Sequence, residues 1–74
     1  MGEHLNEYLT ILSEDPKFRE FVKQDLHKAM AEARLSHDEK AIFLSGDPDK
    51  VAKESGMRLS PEVRDVIIEV VKHL

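Results

Sequence analysis

Three times in 74 residues a capping residue stands directly before a proline: Asp15-Pro16, Asp47-Pro48 and Ser60-Pro61. The side-chain oxygen at the first position accepts from backbone N–H groups that a helix start leaves free. Proline in the next position loses nothing, because its missing N–H has no partner there. Each pair therefore closes one segment and opens a helix. Ser36-His37-Asp38-Glu39 adds a fourth start, a capping box in which Ser36 and Glu39 satisfy each other's backbone donors. Starts this closely spaced force short helices and tight turns.

Apolar spacing fills in the segments. Leu5, Tyr8, Leu9 and Leu12 predict a helix over residues 3–13. Phe18, Phe21, Val22, Leu26, Ala29, Met30 and Ala33 predict one continuous helix over 16–34. Ala41, Ile42, Phe43 and Leu44 follow the capping box, and Ser45-Gly46 ends that helix by allowing a left-handed residue. Residues 49–54 predict a fourth, closed by Ser55-Gly56. The expected fold is all-α: a small bundle of four short helices with a β-branched C-terminal tail.

Local signals disagree in that tail. Ser60-Pro61 reads as a helix start, and Val63, Val66, Ile67, Val70, Val71 and Leu74 fall at helical spacing. Yet six of the nine residues from 63 to 71 are β-branched, a composition that favours extended backbone. The segment is either a fifth core helix or an extended strand, and Met57-Arg58-Leu59 reads as a hinge before it. Residues 3–56 are thus expected to form one helical unit and residues 57–74 a separate segment.

The formal charge of −4, with lysines and arginines scattered among acids, disfavours a phosphate backbone as partner. The absence of cysteine excludes disulfides and thiolate chemistry and fits a cytoplasmic protein. No basic segment followed by an apolar run marks the start as a secretory signal. Val66-Ile67-Ile68 is the longest purely aliphatic run, far too short for a membrane span.

Catalytic patterns are missing. His4, His27, His37 and His73 do not pair at metal-ligand spacing. Ser36-His37-Asp38 has the letters of a hydrolase triad, but adjacent residues cannot face one another as a triad requires. The carboxylate pairs Glu14/Asp15, Asp38/Glu39 and Asp47/Asp49 lie near helix starts, where negative charge is favourable without any chemistry. Ser45-Gly46-Asp47 lacks the second glycine and the Lys-Ser/Thr pair of a phosphate loop. The chain is expected to be no enzyme and to bind no cofactor or metal itself.

Several motifs together resemble a known family. Leu12-Ser13-Glu14-Asp15-Pro16 with Phe18 and Phe21, then Leu35-Ser36-His37-Asp38-Glu39-Lys40-Ala41, then Leu44-Ser45-Gly46-Asp47, resemble the helical domain of the small subunit of protocatechuate 4,5-dioxygenase. The pattern covers about two-thirds of the chain. The same domain looks like the docking domain of borosin precursors, peptides whose backbone amides are N-methylated by a partner enzyme. That resemblance implies a ribosomal peptide precursor that docks on an α-N-methyltransferase, which supplies S-adenosylmethionine as methyl donor. The modified positions would lie among Val66, Ile67, Ile68, Val70 and Val71. Docking would use apolar residues around Met30, Phe43 and Leu44. The alternative implication is a small helical subunit or accessory domain of an extradiol ring-cleavage dioxygenase, whose iron sits in the large subunit.

Overall fold

Every helix after the first begins on a side-chain cap, and two of those caps, Asp25 and Ser36, have no proline beside them. The computed structural model of the chain describes residues 3–72. It contains α1 (Glu3–Glu14), α2 (Pro16–Gln24), α3 (Leu26–Glu32), α4 (His37–Phe43), α5 (Pro48–Ser55) and α6 (Pro61–Val71). All regular structure among the described residues is helical. His73 and Leu74 lie outside them.

Asp15 Oδ1 accepts from Lys17 N at 2.9 Å, and Asp47 Oδ1 accepts from Asp49 N at 3.0 Å. Ser60 Oγ accepts from Val63 N, completing the third cap-proline pair. The helix expected over 16–34 is two helices instead. Asp25 breaks it: its backbone N–H closes α2 on Phe21 O at 2.8 Å, while its carboxylate caps α3 through Lys28 N. A short acidic side chain competes with the helical ladder for nearby N–H groups, so it starts a helix more readily than it continues one.

The turn after α3 is a six-to-one helix ending. Leu35 N donates to Met30 O at 3.2 Å and Arg34 N donates to Ala31 O at 3.1 Å. Arg34 holds the left-handed position, φ 59°, where glycine is usual. Leu35 and Met30 are both buried, which matches the apolar contact that accompanies this motif.

The core draws on every helix. Leu5, Tyr8, Leu9 and Leu12 come from α1, Val22 from α2, Ala29 and Met30 from α3, Phe43 from α4 and Val51 from α5. Tyr8 is its aromatic centre, edge-on to Phe43 at 4.9 Å and to Phe18 at 5.6 Å between ring centroids.

The largest correction concerns the C-terminal segment. It is neither extended nor separate: α6 packs against α1, α2 and α5 and buries Val63, Val66, Ile67 and Val70. Helical spacing wins over β-branched composition because each buried aliphatic side chain contributes about 1.5–3 kcal/mol. The propensity penalty of a valine or isoleucine in a helix is below about 0.7 kcal/mol. Val71 is half-buried and Ile68, 41% exposed, faces solvent.

Val71 also explains one glycine. Gly46 has φ 73°, and a Cβ built there would meet Val71 Cγ2 at 2.8 Å. The turn between α4 and α5 thus needs both the left-handed backbone and the missing side chain. Gly56, φ 70°, closes α5 in open space. Gly46→Ala is therefore expected to cost about 2 kcal/mol in chemical denaturation, and Gly56→Ala only about 1 kcal/mol. Equal costs would mean that Val71 does not press on Gly46. No helix among the described residues is long and apolar enough to cross a membrane.

Candidate functional site

The most constrained polar group is the Glu39 carboxylate. Oε1 accepts from Ser36 N at 2.8 Å, and Ser36 Oγ accepts from Glu39 N at 3.2 Å, completing the capping box. The second oxygen does something the local pattern does not reveal. Oε2 accepts from Leu5 N, 34 residues away, at 2.8 Å. One side chain therefore satisfies free donors at the starts of both α1 and α4, and it is only 6% exposed. Burial opposes its ionisation. The hydrogen bonds from Ser36 and Leu5, with the charge of His4 nearby, outweigh that and hold its carboxyl below the usual carboxylate range.

Around this carboxylate lies an open groove of about 560 Å³. Half-buried Ile42 supplies apolar surface over the buried Leu5, and the exposed Glu3, Asp38 and Glu54 line its edge. His4 also lines it, with Nδ1–H donating to Arg34 O at 2.8 Å. No lysine or arginine is among the described lining residues. A second, smaller hollow of about 340 Å³ lies between α1 and the end of α3, bordered by Glu7, Ile11, Glu32 and Arg34.

Tyr8 carries a different kind of polar group. Its hydroxyl is buried and has no hydrogen-bond partner. Burial pushes its phenol above the usual range. A hydroxyl stranded in a core costs desolvation without return. Tyr8→Phe is expected to raise stability by about 1 kcal/mol, read as an upward shift in Tm. A fall in Tm would mean that the hydroxyl has a partner in solution.

The residues named from the sequence distribute unevenly. Met30 and Phe43, expected at a docking surface, are 1% and 0% exposed and belong to the core. Leu44 is half-buried beside it. Their apolar character reflects packing, so they offer no docking face while the bundle is closed. Of the tail positions, Val66, Ile67 and Val70 are buried, with backbones inside α6. His27 and His37 are exposed, and His73 lies outside the described residues. Among the described residues no group of three His, Asp or Glu side chains is arranged to hold a metal ion. Ser36 caps α4, and no triad geometry forms around it.

Sequence reasoning found half of the Glu39 arrangement. The Ser-x-x-Glu spacing announces the bond to Ser36. The bond to Leu5 had no signal, because it depends on how α1 meets α4 in space. No family model, curated protein or solved structure matches the chain.

Proposed function

We propose that this chain is a helical accessory subunit that works by docking on a larger enzyme and adds no reaction of its own. The observation that carries this reading is α6. The segment richest in β-branched residues is a helix with four side chains in the core, which supports reading it as framework over cargo. A domain of this size buries only about 60% of its unfolded surface, and a partner adds stability by mass action. The resemblance of the Asp15-Pro16, Ser36–Glu39 and Ser45-Gly46-Asp47 motifs to the small subunit of a ring-cleavage dioxygenase supplies the partner class. The iron and the chemistry would belong to that partner.

The test is co-expression with the large subunit of an iron-dependent ring-cleaving dioxygenase. Elution of the two as one complex is the expected result. Two separate peaks at micromolar concentration would sink the reading.

A second reading is favoured by the composition of α6. Its six valines and isoleucines make it a helix held by burial more than by propensity, and a non-helical stretch, residues 57–60, precedes it. A borosin-type precursor would release this segment into an α-N-methyltransferase. Each amide N–H would have to leave the helical ladder before S-adenosylmethionine in the partner could methylate it. Val66, Ile67, Ile68, Val70 and Val71 are the positions concerned. Intact mass after co-expression with such a methyltransferase separates the readings. Increments of one methyl group support the precursor; an unchanged mass removes it.

A further inference from the structure

We infer that the groove beside Glu39 is the surface through which this chain docks, and that its occupant is a partner-protein segment bearing an apolar side chain flanked by lysine or arginine. The inference rests on the docking reading above and adds its place and chemistry.

The argument starts from what the groove leaves unsatisfied. Half-buried Ile42 offers apolar surface above the buried Leu5, while Glu3, Asp38 and Glu54 are exposed carboxylates around it. None of these three has an ion-pair partner among the described residues, whereas Arg64 pairs with Asp49 on another part of the surface. Glu39 is different, since both its oxygens already accept backbone N–H groups. It holds the walls of the groove together and leaves recognition to its neighbours. An apolar centre bordered by three carboxylates, with His4 held on Arg34 O beside them, has the anatomy of a protein interface: the centre excludes water, and the acidic rim selects a cationic partner. An anionic partner would meet three carboxylates. A purely cationic one would leave the apolar centre wet.

The test titrates the full chain, followed by NMR, with three blocked synthetic hexapeptides. The first is Lys-Lys-Leu-Leu-Lys-Lys, the second replaces its leucines by glycine, and the third replaces its lysines by glutamate. The first peptide is expected to shift the signals of Leu5, Asp38, Ile42 and Glu54 and little else. Glu54→Lys should weaken it about threefold to tenfold, while Glu20→Lys on α2, outside the groove, should change it much less. Binding should fade as ionic strength rises towards about 1 M, where the screening length is about 3 Å. Equal binding by the glycine peptide, shifts spread over the whole acidic surface, or indifference to Glu54→Lys would each overturn the inference. Such a failure leaves the docking reading to be decided by its own co-expression test.

Discussion

Cutting the chain after Gly56 is expected to leave a product with no cooperative unfolding transition. The cut removes α6, and with it Val63, Val66, Ile67 and Val70 from the buried core. Four buried aliphatic side chains contribute roughly 6–12 kcal/mol at about 1.5–3 kcal/mol each. A chain of this length has a total stability of about 4–11 kcal/mol. The loss is of the same size as the whole stability, and it also uncovers the faces of α1, α2 and α5 on which α6 rests. Circular dichroism against temperature reads the outcome directly. A truncated chain that still melts sharply would mean that α6 is an appendage, and the precursor reading would then lead.

Glu39→Gln is expected to cost about 2–4 kcal/mol, out of proportion to an exchange of one oxygen for one nitrogen. A glutamine has a single acceptor oxygen, so its NH2 group must face either Ser36 N–H or Leu5 N–H, donor against donor. Leaving a buried donor unsatisfied costs about 1–3 kcal/mol, and more where a charged acceptor is lost. The same carboxylate gives stability an acid dependence. Its folded-state pKa lies below the ordinary value of 4.5, so its contribution is complete above that value. It fades as pH falls below 4.5 and is gone once pH has passed through the folded-state pKa. Melts of the native chain and of Glu39→Gln should therefore converge on acidification. Curves that stay parallel down to acid unfolding would deny Glu39 this role.

What could be read from the sequence was local, and what could not was spatial. The caps at Asp15, Ser36, Asp47 and Ser60 all form, because each needs only its own next three residues. The left-handed turns at Gly46 and Gly56 form for the same reason. Asp25 was legible in principle, yet the unbroken apolar stripe from Phe18 to Ala33 concealed it. Arg34 was not legible at all, since nothing in its chemistry marks a left-handed position. The C-terminal segment presented two local preferences of opposite sense, and only the surfaces of α1, α2 and α5 decide between them. Met30 and Phe43 show the same limit. Large apolar side chains look alike whether they seal a core or greet a partner.

The helices themselves run to 12, 9, 7, 7, 8 and 11 residues. Isolated helices shorter than about 12–15 residues are marginal in water. No piece of this bundle can thus persist as a peptide in its native shape, and a protease that nicks any one connection should dissolve the whole. If α6 ever left its seat it would not travel as a rod; it would unwind into a supple strand on departure.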